Sequence, residues 1–403
     1  MAANWSSLPL DLLAFIAFKL ISLEDFIYFS AVCRSWNCAS SSIKHQWRPT
    51  TPLPWLLLAE NTKDNPNCAR KIFNLNNNKC YNSNLPETFG ARCCGSPYGW
   101  VVVAKSDHTI QLINPITKAH ISFPSLETIL NLRETGAESF DDYNDWCLTF
   151  FLTKLIVLNV SHAGRNEFVI MIIYQFNKYL AFARQGDQSW TDILIKETSI
   201  KIFDVVAMDD HVYVVYDYGA IAYWNVREFY NVEVVKPMDY SPPQHEIFKV
   251  PPYPYIRNVY LIQSGSDLLM VLRYKENVMN GLNRADPDYD YDYDSIYRTV
   301  DFKVYKLNPK EKKWEYIEDL GDLTLFVGDS SSMSTLLAHD KNLQPNCIYF
   351  TDDECSDWSM VTELGGHDMG IYDINSAQVL RRFYEGTDTR SAFCPPTFFF
   401  PQL

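Results

Sequence analysis

Three stretches of this chain carry residue types that could do chemistry. Asp286-Pro-Asp288-Tyr-Asp290-Tyr-Asp292-Tyr-Asp294 sets a carboxylate at every second position, as a calcium loop can. An EF-hand loop starting at Asp286 requires Gly at its sixth position and Glu at its twelfth. The chain has Tyr291 and Tyr297 there, and later starts fail too, so the stretch reads as a solvated acidic loop that could attract a basic segment of a partner. His367-Asp368, after Gly365-Gly366, offers an imidazole and a carboxylate. No third ligand or nucleophile is near in sequence, and a surface loop before a strand is expected. Cys93-Cys94, before Gly95, reads as a strand end rather than a redox site. No G-x-G-x-x-G, P-loop, G-x-S-x-G or H-E-x-x-H motif occurs. The expectation is therefore a non-catalytic chain with no cofactor and no metal. Carboxylates that converge only in space escape such a search, so a propeller hydrolase or small-ligand binder stays open as an alternative.

Bulk properties narrow the partners. The 403 residues have room for two or three domains, and 47% apolar content is ample for a core. A net charge of −14 and a pI near 5.0 argue against nucleic acid, which needs a basic face, and against an anionic membrane surface. The ten cysteines are scattered, without CxxC or zinc spacing. Reduced thiols in the nucleus and/or cytoplasm are expected, and the sequons at Asn4 and Asn159 should be silent. The longest apolar stretch, 147–160, contains Lys154 and falls short of the ~20 residues a membrane span needs. It reads as two buried strands or one long one.

The elements that must position these groups are mainly strands. From about residue 52, short runs rich in Val, Ile, Tyr and Phe alternate with turn residues. They fall at 54–58, 71–75, 79–81, 100–104, 109–113, 168–174, 179–184, 211–216, 220–225, 260–264, 268–274, 302–307, 347–351 and 369–373. Asn76-Asn77-Asn78, Asp209-Asp210, Asp217-Tyr-Gly219 and Gly265 mark turns between them. Asn114-Pro115 and Asn308-Pro309 each end a strand, turn and begin another; Gly186-Asp-Gln-Ser-Trp190 and Tyr372-Asp-Ile-Asn375 look like degenerate copies of that step. The two Asn-Pro copies lie 194 residues apart, about four blades at ~40–50 residues per blade. The Asn308-to-Asn375 step is not a multiple of that length and requires an insertion near 329–345 or 352–367. About two dozen strands predict a β-propeller of about six blades, with five or seven as alternatives and a large β-sandwich as the rival.

The N-terminus differs. Pro9 and Asp11 suit the first turn of a helix, and Leu12, Leu13, Ile16 and Leu20 recur along one helical face. Ser22 and Asp25 form an acidic capping box. A second helix is expected there, with Phe26, Phe29, Val32, Cys33 and Trp36 at spacings of three and four. The run 12–18 is bracketed by Asp11 and Lys19 and preceded by no basic residue, which argues against a signal peptide. On periodicity alone, the helices could equally pack on the body or present a partner surface.

Leu8, Pro9, Asp11, Leu12, Leu13, Ile16, Leu20, Asp25, Phe29, Val32, Cys33 and Trp36, in this order and spacing, resemble the F-box motif. Tyr28 departs from it, standing where related plant sequences often carry a basic residue. Further resemblance lies in Tyr260-Leu-Ile-Gln-Ser-Gly-Ser-Asp-Leu-Leu-Met-Val271, Phe302-Lys-Val-Tyr-Lys-Leu307, Leu320-Gly-Asp-Leu-Thr-Leu-Phe-Val-Gly-Asp329, Asn346-Cys-Ile-Tyr-Phe-Thr-Asp-Asp353 and Gly370-Ile-Tyr-Asp373. Together with Trp190, these are similar to plant F-box proteins with a C-terminal β-propeller-like domain, the SKIP/KIB type. The resemblance implies an F-box over 1–48 and a propeller-like recognition domain over 52–403. It implies docking of a Skp-type adaptor, and through it a cullin–RING (SCF) ubiquitin ligase, by Leu8, Pro9, Leu12, Leu13, Ile16, Leu20, Leu23, Asp25, Phe29, Val32, Cys33 and Trp36. Pro9, Leu12, Ile16 and Trp36 are the expected anchors. The propeller loops would hold an unknown protein substrate. A scaffold that docks the adaptor without ubiquitin transfer is the remaining alternative.

Overall fold

A computed structural model of the chain describes residues 5–47, 53–60, 69–129, 151–162, 165–175, 177–193, 201–216, 219–225, 255–278, 296–311, 313–336, 343–354, 365–384, 386, 388–391 and 394–403. Helices α1 (Leu10–Phe18), α2 (Leu23–Ala31) and α3 (Arg34–Ile43) come first. Pro9 is the N-cap of α1 rather than its first helical residue, and its carbonyl accepts the Leu13 N–H at 3.1 Å. Ser22 caps α2: its Oγ accepts the Asp25 N–H at 3.1 Å, while the Asp25 carboxylate accepts the Ser22 hydroxyl at 2.7 Å. The single helix expected after Ser22 is in fact two. Cys33 is extended, at φ −164° and ψ 175°, and becomes the N-cap of α3. The spacing of three and four continues across this break, so periodicity alone does not reveal it. None of the described helices is long and apolar enough to cross a membrane.

The described strands form six sheets, the blades of a β-propeller. Blade 1 combines Trp55–Leu57, Ala69–Asn74 and Lys79–Asn84 with the C-terminal strand Thr397–Phe399, which pairs antiparallel with Trp55–Leu57. Blade 2 is Arg92–Gly95, Val101–Ala104, Ile110–Ile113 and His120–Phe123. Blade 3 is Leu152–His162, Arg165–Tyr174, Tyr179–Arg184 and Thr191–Ile193. Blade 4 shows Ile202–Met208, His211–Tyr216 and Ile221–Asn225. Blade 5 holds Tyr255–Ser264, Asp267–Val278, Ile296–Asn308 and Lys313–Ile317. Blade 6 holds Leu323–Val327, Met333–Leu336, Cys347–Phe350, Gly370–Asp373 and Gln378–Arg381. The apolar stretch 147–160 contributes one long strand from Leu152 onward; its first residues lie outside the described set.

The core is a ring of interfaces. Separate apolar clusters join blades 1 to 2, 2 to 3, 3 to 4, 4 to 5, 5 to 6 and 6 back to 1. Alternate residues of one strand serve different neighbours: Trp55 and Leu57 pack toward blade 2, Leu56 toward blade 6. The inner strands therefore need apolar residues on both faces and read as continuous apolar runs, such as Val101–Ala104 and Cys347–Phe350, whereas outer strands such as Lys79–Asn84 and Gln378–Arg381 are largely exposed.

The turn echo has a physical basis. Between the last two strands of four blades, an Asx side chain accepts the next backbone N–H groups. Asn74 Oδ1 takes Asn76 N at 2.8 Å and Asn114 Oδ1 takes Ile116 and Thr117 N at 2.9 Å. Asn308 Oδ1 takes Lys310 and Glu311 N, and Asp373 Oδ1 takes Asn375 N, all at 3.1 Å. Asn114 and Asn308 sit in blades 2 and 5, three blades apart rather than four. The stretches 124–151, 226–254 and 279–295 lie between them in sequence and lengthen the spacing. The extra strand of blade 6, Met333–Leu336, falls within the first of the two expected places and pairs with Leu323–Val327, which runs parallel to Cys347–Phe350.

In an antiparallel blade, the first-to-second and third-to-fourth turns leave at one face of the ring. The helices sit at that face, against the third-to-fourth turns of blades 1 and 2. The strand ends flanking the connections 124–151, 279–295 and 351–369 lie at the opposite face.

Candidate functional site

Helix α1 is apolar nearly all round, and its two sides have different fates. Leu13 and Ala17 are buried with Leu23, Phe26, Phe29, Ala39 and Trp47 in the cluster that also holds Trp55, Leu57 and Ile72 of blade 1. The other side stays open: Leu12 is 49% exposed, Phe15 62%, Ile16 37% and Phe18 50%. Leu10, Ile21 and Val32 extend this apolar surface. A helix that is apolar on every side is normally buried on every side, and contiguous exposed apolar surface marks an interaction site.

The twelve expected contact residues divide accordingly. Pro9, Leu12, Ile16, Asp25 and Val32 are exposed; Leu8, Leu20, Cys33 and Trp36 are half-buried; Leu13, Leu23 and Phe29 face inward and can only support the surface. Trp36 lies against the Phe29 ring at 4.4 Å, and its Nε1 donates to the Trp5 carbonyl at 3.2 Å. Leu10, Phe15, Phe18 and Ile21 were not among the expected residues. Their signal was present, as apolar residues between the motif positions, but sequence could not say which side of α1 the body covers.

The helices are tied to the propeller through polar as well as apolar contacts. Glu24 Oε1 accepts from Asn77 Nδ2 at 2.7 Å and from the Tyr81 hydroxyl, both in blade 1. Burial and then this Glu24 bond push the Tyr81 phenol up to about 12. Trp47 stacks on Phe26 at 4.3 Å, and its Nε1 donates to the Leu20 carbonyl at 2.9 Å.

The other residues with chemical potential lie inside the ring. Asp329 reaches from blade 6 to Arg92 and Cys94 of blade 2. Lys154 of blade 3 pairs with Asp204 of blade 4 at 2.8 Å, and Asp204 also accepts the Leu261 N–H of blade 5 at 2.9 Å. At the face away from the helices, Arg273 pairs with Asp353 at 3.0 Å and Asp368 at 2.9 Å, and Lys275 pairs with Asp353 at 2.7 Å and Glu354 at 3.0 Å. His367 and Asp368 are therefore not the surface loop expected. Both are buried, with His367 Nε2 3.0 Å from the Tyr297 carbonyl and Nδ1 3.5 Å from Asp352. Burial alone would raise Asp353, but Lys275 and Arg273 overcome it and hold the carboxyl well below the usual carboxylate range. Carboxylates do gather in the ring, as a hydrolytic propeller would need, yet Asp204, Asp329, Asp353 and Asp368 are each engaged by a buried cation. Cys93 and Cys94 lie buried in their blade 2 strand, and no group of metal-ligating side chains occurs among the described residues. The run Asp286 to Asp294 lies outside the described residues.

The comparisons with known proteins agree with the propeller fold. A family model described as the KIB1-4 beta-propeller matches residues 72–373. F-box protein SKIP23 of Arabidopsis thaliana is 25% identical over 401 residues, covering 93% of this chain and 90% of that protein. A second Arabidopsis thaliana F-box protein is 24% identical over 404 residues, covering 93% of this chain and 89% of its own. Among solved structures, the N-terminal domain of Nup159 overlaps with a TM-score of 0.32 at 13% identity, over 82% of this chain and 76% of that one, too weak a likeness to carry an argument.

Proposed function

The chain belongs to the KIB1-4 β-propeller family, and from that premise we propose that it is a substrate-recognition subunit of an SCF-type ubiquitin ligase, working in the nucleus or cytoplasm. The outer face of α1 docks a Skp-type adaptor, which links the chain to a cullin–RING assembly. The propeller face opposite the helices selects the protein to be ubiquitinated. The chain performs no covalent step; it contributes proximity and orientation. The observation that carries this reading is the apolar surface of Leu10, Leu12, Phe15, Ile16 and Phe18, left uncovered while the opposite side of the same helix is fully packed. Its placement supports the reading further, since adaptor and target would occupy opposite faces of one rigid ring.

Each large apolar side chain newly buried at an interface is worth ~1.5–3 kcal/mol, and a few such anchors dominate binding. Leu12→Asp with Ile16→Asp should weaken adaptor binding by at least about a hundredfold on that scale, read by pull-down and calorimetry. Because both side chains are exposed, the thermal melt should barely move. Unchanged adaptor affinity in this folded variant defeats the proposal.

A further inference from the structure

We propose that the cavity in the seam between α2 and blades 1 and 2 binds a small planar aromatic anion. The cavity is open to solvent on one side and has a volume of about 270 Å³, just under the ~300 Å³ at which ligand cavities usually begin, so its occupant is about one fused ring system in size. Its floor is Trp55 stacked on Tyr81, with ring centroids 5.6 Å apart and planes 15° from parallel. Ile27, Ile72 and Ile116 supply apolar walls. A flat ring finds there the offset-stacking surface that aromatic groups prefer.

Lys118 also lines the cavity and sets the charge of the occupant. Its ammonium donates to the Pro115 carbonyl at 2.9 Å and to the Ser83 hydroxyl, both neutral acceptors. Glu87 acts on it only from a distance, and lies 3.8 Å from His120. Partial burial lowers the Lys118 pKa, although Glu87 acts in the opposite direction. Glu24 lines the same cavity, but Asn77 and Tyr81 already donate to its Oε1. A carboxylate or sulfonate beside Lys118 would accept from its ammonium while its ring rests on Trp55. The site lies apart from the outer face of α1, so it stands or falls independently of adaptor docking.

The test uses the full chain and three probes of equal shape: 2-naphthoate, neutral 2-naphthylmethanol and cationic 2-naphthylmethylammonium. By calorimetry, 2-naphthoate should bind saturably and about tenfold more tightly than the other two, the size of one charge-assisted contact. Lys118→Glu, a change on an exposed turn, should reverse the order and favour the ammonium probe. Ile116→Trp, which fills the cavity, should abolish binding of all three where its melting curve shows a folded protein. No saturable naphthoate binding, equal affinity of the three probes, an unchanged order in Lys118→Glu, or full binding by folded Ile116→Trp each overturns the proposal.

Discussion

Arg273 shows how much one residue can organise. Its guanidinium donates to the Thr299 hydroxyl at 2.8 Å, the Thr351 carbonyl at 2.7 Å and the carboxylates of Asp353 and Asp368. It is wholly buried between blades 5 and 6, where an unpaired charge would cost several kcal/mol. Asp353→Asn removes a charge that Arg273 and Lys275 share and should destabilise by ~3–5 kcal/mol, the scale for breaking a buried pair; urea unfolding measures it. The pH dependence follows from the depressed folded-state value of Asp353. A carboxyl held below its unfolded value of ~3.9 contributes its full stability above that pH and loses it as pH falls through the folded value. Wild type should therefore lose stability on acidification below about pH 4, and Asp353→Asn should lose less over the same range. Equal acid sensitivity would show that this carboxyl carries no such linkage.

Among the elements, α2 was the most legible. Its capping box is local, and Ser22 does cap it. Ser22→Ala should cost ~1 kcal/mol, read as a shift in the urea midpoint with an unchanged slope. The boundary between α2 and α3 was not legible. It depends on the extended backbone at Cys33 and on Asn37 Nδ2 donating to the Ser30 carbonyl at 3.1 Å, while the apolar spacing runs on undisturbed. The turns between the last two strands of these blades were legible for the same reason as the cap: an Asx side chain meeting the N–H two or three residues on needs no tertiary partner. The extra strand Met333–Leu336 carries no such local mark, and only the position of its insertion could be anticipated.

For the whole molecule, closure is the deciding event. The last strand, Thr397–Phe399, completes blade 1 and presses on blade 2, where a Cβ at Gly95 would lie 1.8 Å from the Phe398 carbonyl oxygen. Gly95→Ala must push these blades apart, and a destabilisation of at least ~1–3 kcal/mol is expected from overpacking; a lower melting temperature checks it, and an unchanged one would mean the ring yields there freely. The same closure fixes the helices against blades 1 and 2, and so fixes the direction in which α1 presents its open side.

What the sequence determined by itself is whatever is decided within a few residues: the helical N-terminus and its cap, the β class, the turn chemistry that marks the blades, and the motif spacing that resembles an F-box. The tertiary structure alone decided that Leu12 and Ile16 face outward while Leu13 turns in, that His367 and Asp368 are buried, and that Lys118 meets Trp55 and Glu24 around one cavity. Caps, turns and alternation are short-range interactions written in neighbouring residues. Burial and ion pairing depend on which blades close on one another, and residues 92 and 329, or 273 and 353, become neighbours only when the ring is shut.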